Sequence, residues 1–363
     1  MPMLMHSFIE TLGLAPLPVD KGGLAFSLRT SWAAQALRDP CSFHATLFSA
    51  SAHLDAFRGV SYNPVTTYHY TTAMRLIREK LALAGGMPDE IIIACIPTMV
   101  FFSSLRGDVK SSQIHKKGLI QLLRAKGGLA EHELDGFFSA LIPVCVMAEA
   151  IVFDSDLDIP GVDIPPIPFI PPTQLLSRAL ERAAHQTGYY NLSHEAIQIF
   201  KDIQAVCIEP DEPLSTRTKD IWTERIHSRL TQTLHPIQPN RIDAACHVAA
   251  LIFFYLLFDN NPGLDLIPSS HLQNLVHDLK TILLDTTKDS WIRISPEAIT
   301  WICLVGAAAS ARASADRIWF TLRYGQAVGC IRSEGVSLYM DCWMLYSWLN
   351  WRRKEKTSVG ESG

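Results

Sequence analysis

Apolar residues recur along this chain at three- and four-residue spacing, which predicts helices almost throughout. The first long helix begins at Asp39-Pro40, because aspartate is a good N-cap and proline fits the first helical position. It closes at Arg58-Gly59, and one face of it is apolar: Phe43, Leu47, Ala50 and Leu54. Strand-like alternation is scarce, so the pattern favours an all-α fold.

The same spacing predicts the remaining helices, at about 68–83, 89–105, 114–129, 131–151, 173–187, 194–208, 214–234, 240–258, 269–286, 296–322 and 335–352. The helix at 89–105 is apolar nearly all round and is therefore expected at the centre of the fold. Pro97 inside it predicts a kink or a break. Altogether we predict a multi-helix array of about twelve helices.

The stretch Ile114–Leu129 is predicted to be a helix with a built-in stop. Asp108 is among its N-cap candidates, and Leu119 belongs to its apolar stripe. Either Gly127 or Gly128 can adopt the left-handed conformation that ends a helix. Lys116 and Lys117 are interpreted as part of its solvated polar face.

Residues 154–173 form the clearest break, because six prolines within 13 residues exclude a helix and favour an extended polyproline conformation. They are predicted to join two packed halves, at about 32–153 and 174–353. Residues 1–31 would form an N-terminal extension and 354–363 a flexible tail. We expect a connector attached to the surface by Ile164, Ile167 and Phe169; the alternative is a docking ligand for an SH3- or WW-like partner.

Two late helices are expected to present special surfaces. The helix at 296–322 offers small residues where another helix can approach closely: Gly306, Ala307, Ala311 and Ala315. The last helix offers a candidate aromatic face that closes the core: Trp343, Tyr346, Leu349 and Trp351.

Composition and charge exclude several classes of protein. Hydrophobic residues make up 48% of the 363 residues, the net charge is −4 and the pI is about 6.3. A nucleic-acid binder normally carries a basic excess, so direct DNA binding is not expected. Val248–Phe258 is too short to span a bilayer and predicts a buried core helix. The eight cysteines include no C-x-x-C pair, and most lie in apolar runs, which predicts reduced, buried thiols.

The chain carries no recognisable catalytic or cofactor motif, and no cofactor is expected. Asp154, Asp156 and Asp158 could bind a hard cation, but a solvated loop is the favoured interpretation. A terpene-cyclase-like helical enzyme would need an aspartate-rich metal cluster on a helix. The segment Asp259–Pro262 is followed by no matching carboxylate pattern. A helical enzyme is therefore the least favoured alternative.

Several segments taken in order resemble the fungal-specific transcription factor regulatory domain, in the subgroup often labelled tachykinin-family or C6 transcription factor-like. These are SWAAQALRDPCSFHATLFSASAHLDAFRG, YHYTTAMRLIREKL, IHKKGLIQLLRAKGGL and ITWICLVGAAASARASADRIWF. The motif positions that carry the resemblance are interpreted as structural: Trp32, Asp39, Pro40, His44, His53, Asp55, Arg58, Gly59, His115, Gly118, Leu119, Gly127, Gly128, Trp301, Gly306 and Trp319.

The resemblance implies a non-enzymatic transcriptional regulator, without catalytic residues, that acts through proteins of the transcription machinery, another transcription factor or a small-molecule effector. The family's six-cysteine zinc module is not found in this sequence. We expect either a truncated form or a member that never had the module. The basic cluster Arg352–Lys356 fits a nuclear import signal or a solvated helix end. The nucleus is the expected location, with the cytoplasm and a scaffold or adaptor of fungal metabolism as alternatives.

Overall fold

A computed structural model describes residues 2–14, 17, 19–60, 63–85, 89–129, 136–186, 191–207, 241–258, 269–332 and 335–360 of this protein. Over these ranges the chain contains fourteen helices of at least seven residues and no strand, which confirms the predicted all-α class. The predicted helix at 214–234, the predicted helix start near Glu131 and the segment Asp259–Pro262 lie outside the described residues.

The chain divides into two compact units. Unit 1 comprises Met1–Ile164 with Val328–Met340, and unit 2 comprises Pro165–Ala327 with Asp341–Gly363. The domain boundaries read from the sequence, at residues 31, 153 and 174, stay predictions.

The described part of unit 1 contains four short N-terminal helical pieces followed by five long helices. Its elements are α1 Pro2–Thr11, α2 Leu24–Ser27, a π-helical turn Leu28–Trp32, α3 Ala33–Ala36, α4 Pro40–Arg58, α5 Pro64–Leu83, α6 Glu90–Leu105, α7 Val109–Ala125 and α8 Gly136–Phe153. The helical pieces before residue 37 were not predicted, because their sequence lacks the long apolar repeat of the later helices.

Helix α6 lies at the centre of unit 1 and packs against α4, α7 and α8. From Ile92 to Leu105 almost every residue of α6 is buried, as its continuous apolar sequence predicts. Of the kink or break predicted at Pro97, the break is wrong, since α6 continues through Pro97, and the kink stays a prediction. A proline inside a helix costs about 3 kcal/mol, whereas each large apolar side chain that is buried contributes about 1.5–3 kcal/mol. Burial on all sides therefore outweighs the lost hydrogen bond, and α8 likewise continues through Pro143.

Side-chain caps and glycines set the helix ends in unit 1. Asp39 accepts a hydrogen bond from the backbone N–H of Ser42, and Asp108 accepts one from that of Ser111. At the end of α7 the N–H of Gly128 donates to the carbonyl of Leu123 at 2.9 Å, and Gly127 donates to Arg124 at 3.1 Å. This pairing is the Schellman arrangement.

The two glycines after α7 both have positive φ, 87° at Gly127 and 94° at Gly128. A Cβ atom on Gly128 would lie only 3.1 Å from the Cα of Gly161, because the backbone of the proline-rich segment runs alongside. The neighbouring N–H of Leu129 donates to the carbonyl of Pro160 at 2.8 Å. The predicted glycine stop is therefore confirmed, and close backbone approach adds a second reason for glycine at 128.

Unit 2 contains α9 Gln174–His185, α10 His194–Cys207, α11 Arg241–Phe258, α12 Ser269–Leu284, α13 Lys288–Ile294, α14 Pro296–Ala309, α15 Ala315–Val328 and most of α16 Ser337–Gly360. Helix α14 is buried along its whole length and packs against α9, α11, α12 and α13. Residues 248–254 of α11 are buried too, which confirms the predicted core helix. Within the described part of the chain, none of the helices meets the length and hydropathy needed to cross a bilayer.

The prediction of one helix over 296–322 is wrong, because the chain turns between Ala309 and Ala315. Ala313 adopts a left-handed conformation with φ of 53°. Arg317 is completely buried and donates from Nε and Nη2 to the carbonyl of Ser310, at 3.1 and 2.6 Å. This guanidinium satisfies the C-terminal carbonyl of α14, so the turn is stabilised without a glycine.

The small-residue surface predicted on this segment is also wrong as a single surface. Gly306 and Ala307 are buried, whereas Ala311 lies in the exposed turn and Ala315 begins the next helix in an exposed position. Gly306 has the predicted role of permitting close approach, since it faces the ring of Phe320.

The aromatic face predicted on the last helix is confirmed only in part. Tyr346 and Leu349 are buried, but Trp343 and Trp351 are partly exposed. Trp348, which was not predicted, is buried and stacks on Phe253 with ring centroids 6.3 Å apart.

The predicted attachment of the proline-rich connector is wrong for Ile167 and Phe169, whereas Ile164 is partly buried. Phe169 is 85% exposed and Ile167 is 48% exposed, whereas the earlier residues Leu157 and Ile159 are buried. The first part of the connector therefore packs into unit 1 through its own apolar side chains. All eight cysteines are buried and outside any disulfide, as their sequence context predicts.

Candidate functional site: the polar seam of unit 1

Most of the motif positions lie on α4 and α7 or at their ends. Polar side chains of α4, α5 and α7 form three groups of hydrogen bonds between these helices, which together we call the polar seam: His44 with His69, Thr66 with Asp55 and Ser51, and Tyr70 with His115. Three of its members, His44, Asp55 and His115, are predicted motif positions, and each bonds to a side chain of α5, so the seam is the candidate functional site.

At one end of the seam Lys80 of α5 lies between two helix-capping carboxylates. Its Nζ is 2.7 Å from Asp39, the N-cap of α4, and 3.6 Å from Asp89, the N-cap of α6. Burial would raise the pKa of Asp39, but hydrogen bonds from Lys80 and Ser42 outweigh it and leave that pKa below its usual value. The lysine therefore fixes the starts of two helices at once.

Asp55 connects α4 to the start of α5. Its carboxylate is buried and accepts hydrogen bonds from Asn63 Nδ2 at 2.8 Å and Thr66 Oγ1 at 2.5 Å. Asn63 also caps α5 through its side-chain oxygen, and the hydroxyl of Thr66 contacts that of Ser51. The motif aspartate thus has its hydrogen-bonding capacity used by neighbours that set the α4–α5 turn.

The middle of the seam is a pair of histidines, one from α4 and one from α5. Nδ1 of His44 is 3.0 Å from Nδ1 of His69, so one ring must donate and the other must accept. Burial, followed by the neighbouring His44, lowers the pKa of His69 to about 4. Burial also lowers the pKa of His44. Both rings are therefore neutral near pH 7.

His115 of α7 bonds to Tyr70 of α5, with Nε2 and the phenol oxygen 2.8 Å apart. Burial lowers the pKa of His115 against the opposing effect of Asp108, and burial raises the pKa of Tyr70. This contact is an uncharged hydrogen bond that holds α7 against α5. The sequence placed His115 on α7 but contained no signal for its tyrosine partner.

Next to His115, Lys116 forms a buried ion pair that the sequence interpretation missed. Its Nζ is 2.7 Å from Glu149 of α8 and 2.7 Å from the carbonyl of Asp156, and Ser155 donates to the same carboxylate at 2.8 Å. The glutamate is 1% exposed and the lysine 12% exposed. The interpretation of Lys116 as a solvated residue is therefore wrong. The feature of the sequence that could have indicated this ion pair is Glu149, a lone carboxylate within an apolar helix.

The other motif residues of unit 1 lie outside the polar seam, and most of them contribute to helix packing or helix ends. Trp32 donates from its indole to Thr46 at 2.9 Å and stacks on Phe137, and His53 is buried. Arg58 is exposed at the end of α4, where Gly59 has φ of 66°. Leu119 is completely buried, whereas Gly118 faces open space.

The remaining three motif positions lie in unit 2. Trp301 is completely buried between the rings of Phe200 and Phe253, at centroid distances of 5.7 and 5.6 Å. Gly306 contacts Phe320, and Trp319 is partly exposed between two cationic side chains. These three positions belong to the packing of unit 2 and are not seam residues.

The acidic residues and the cysteines are the remaining candidates for metal binding or other chemistry. Within the described ranges, no group of three or more histidine, cysteine or acidic residues is arranged to hold a metal ion. Asp158 of the predicted acidic cluster instead pairs with Arg124 at 3.3 Å. Cys41 and Cys95 have sulfur atoms 3.9 Å apart, and both are completely buried. The hydrogen bonds of the seam connect α5 to α4 and α5 to α7.

Comparison with known proteins adds one finding to this geometry. Residues 27–148 match a family described as the fungal specific transcription factor domain. No curated protein and no solved structure matches the chain. The matched range runs from the π-helical turn into α8 and contains the whole polar seam. Residues 27–148 are thus similar to the fungal specific transcription factor domain, and the resemblance read from the sequence is confirmed over that range.

Proposed function

We propose that this chain is the regulatory part of a transcriptional regulator, that it is not an enzyme, and that it acts in the nucleus. The observation that carries the proposal is the match of residues 27–148 to the fungal specific transcription factor domain. The name of that family describes transcription, and the described helices of the matched segment pack against one another.

The chemistry of the polar seam supports a structural role for the motif residues. A general base needs a pKa near the working pH and a free approach to its substrate. His44 and His115 have pKa values below the usual value and bond to partners within the seam. Asp55 accepts two hydrogen bonds from side chains of its own unit. The polar groups of these residues therefore form hydrogen bonds that hold the helices together.

The charge of the chain supports regulation without direct DNA contact. A net charge of −4 gives no general attraction to phosphate, so DNA reading is assigned to another polypeptide or segment. We expect this chain to contact proteins of the transcription machinery or another transcription factor, with a small-molecule effector as a further partner.

A reporter assay tests this proposal directly. The full chain is fused to a foreign DNA-binding domain, and transcription from its operator is compared with that given by the DNA-binding domain alone. We expect the fusion to change transcription in at least one growth condition.

Two glycine variants serve as matched controls. A fusion with Gly118→Ala should behave like the original, because open space surrounds that position. A fusion with Gly306→Leu should lose the effect, because the added side chain collides with Phe320. If the fusion leaves transcription unchanged in every condition, the proposal is wrong and the scaffold or adaptor alternative gains weight.

A further inference from the structure

A cleft in unit 2 opens between α12, α13, α14 and α15. Its base is apolar and includes Leu283, Ile292 and Ile299, and its rim carries Trp319, Arg323 and Gln326. The cavity volume is about 30 Å³. A water needs roughly 10–15 Å³ by the same measure, so the cleft accommodates one end of a small molecule and leaves the rest near the opening.

The guanidinium of Arg323 is the distinctive group in this cleft. It donates to Gln326 Oε1 at 3.2 Å and lies over the indole ring of Trp319, with Cζ 5.3 Å from the ring centroid. Across the described residues, no carboxylate pairs with it. Burial lowers the pKa of this guanidinium below its usual value, because burial disfavours the charged form.

Other arginines of unit 2 are paired with carboxylates, unlike Arg323. Arg182 is bonded to Glu297 at 2.8 Å, and Arg178 is bonded to Asp341 at 3.1 Å. Lys280 also lies near the Trp319 ring, at 5.9 Å, but it is paired with Asp316 at 2.7 Å. The cleft rim therefore carries one cation in excess, since removing a charge from water is costly unless a counter-charge replaces the water.

We infer that this cleft binds the carboxylate of a small aliphatic monocarboxylic acid. The carboxylate would pair with the free N–H groups of Arg323, whose fork geometry suits two parallel hydrogen bonds. The short hydrocarbon end would contact Leu283, Ile292 and Ile299. A phosphate or a dicarboxylate fits less well, because its second charge would face the apolar base with no second unpaired cation.

The inference rests on the proposed function only for the role of the acid, which would be the effector of the regulator. Binding of the acid is a property of unit 2 in the intact chain and can be measured without transcription. The two ideas can therefore fail separately.

The test uses the purified full chain, with hexanoate as the probe and hexanamide as its uncharged match. Binding is measured by titration calorimetry and by the fluorescence of Trp291 and Trp319, which both line the cleft. We expect hexanoate to bind at least about tenfold more tightly than hexanamide, since a hydrogen bond to a charged group is worth more than a neutral one. Equal binding of acid and amide, or no binding at millimolar concentration, would overturn the inference.

Variants test the assignment to Arg323. Arg323→Gln should weaken hexanoate binding about tenfold or more and leave hexanamide unaffected. Arg323→Lys retains a cation and should bind with intermediate affinity. Arg312→Gln, at an exposed position in the α14–α15 turn, is the matched control and should bind like the original. If Arg323→Gln binds hexanoate normally, the site is wrongly assigned, and if it does not fold, the acid–amide comparison on the original chain still decides.

The reporter fusion separates the site from the proposed function. Hexanoate binding without any change of transcription in the fusion would contradict the effector role and leave the binding site established. A responsive fusion whose purified chain does not bind hexanoate would contradict the binding site and leave the regulator established.

Discussion

At the residue scale, two helix-interior glycines of the motif differ in what surrounds them. A Cβ on Gly306 would lie 2.6 Å from the ring of Phe320, closer than any real Cβ contact. A Cβ on Gly118 would meet nothing within 4 Å. Glycine is therefore required at 306 by packing, whereas at 118 it only lowers the stability of α7.

Opposite effects on stability are expected for the two alanine substitutions. Gly306→Ala should lower the free energy of unfolding by about 1–3 kcal/mol, because the methyl group overpacks the contact with Phe320. Gly118→Ala should raise it by about 0.5–1 kcal/mol through helix propensity. Denaturant unfolding of the two purified variants measures both effects. A stabilising Gly306→Ala would show that Phe320 moves freely and that α14 and α15 are loosely packed.

The second prediction concerns the ion pair between Lys116 and Glu149. Lys116→Met should destabilise the protein by about 3–5 kcal/mol, because it leaves a buried carboxylate without its cation. The exposed pair Arg124–Asp158 is the matched control, and Arg124→Met should cost no more than about 1 kcal/mol.

Replacing both partners tests the reason for that loss. The double variant Lys116→Met with Glu149→Leu removes both charges and should recover most of the stability, because apolar residues of similar volume can replace a buried pair. Urea denaturation midpoints measure all three proteins. If Lys116→Met alone unfolds like the original chain, the carboxylate is reached by water and the pair is not a buried one.

At the scale of elements, the polar seam makes the packing of α4 and α5 sensitive to pH. His69 has a pKa of about 4 in the folded protein, against about 6.5 in the unfolded chain. Between these values the unfolded chain binds more protons than the folded one. The contribution of His69 is therefore present above pH 6.5 and is lost as the pH falls towards 4.

We expect the free energy of unfolding to decrease between pH 6.5 and 4, by up to about 1.4 kcal/mol per pH unit for one such histidine. His69→Gln retains hydrogen-bonding groups but cannot titrate, so its unfolding free energy should depend less on pH over the same range. Urea denaturation at pH 7, 5.5 and 4.5 measures both slopes. Identical slopes for the variant and the original chain would show that His69 is protonated in the folded state.

Helix boundaries were predictable where a local signal exists. Asp39 and Asp108 begin helices through hydrogen bonds to residues three positions later, and Gly127 and Gly128 end one through their own backbone angles. The turn after α14 has no glycine and depends on Arg317, seven residues after the carbonyl that it satisfies. The spacing of apolar residues gives no information about that hydrogen bond, so the sequence predicted one long helix.

At the scale of the whole molecule, each unit is organised by an apolar helix that the sequence shows clearly. Helix α6 of unit 1 and helix α14 of unit 2 are buried nearly throughout; α6 packs against α4, α7 and α8, and α14 packs against α9, α11, α12 and α13. Burial on this scale stabilises a helix even through Pro97. The polar seam and the cleft of Arg323 are built around these two helical cores.

The sequence by itself determined the all-α class, most helix ends, the buried cysteines and the family resemblance, because each depends on residues close together in the chain. Only the tertiary structure decided which polar groups pair: Lys116 with Glu149, and His115 with Tyr70. Among the described residues, it also left Arg323 without a carboxylate partner in a cleft formed by four helices. Such pairings join residues tens of positions apart, and local spacing contains no information about contacts at that distance.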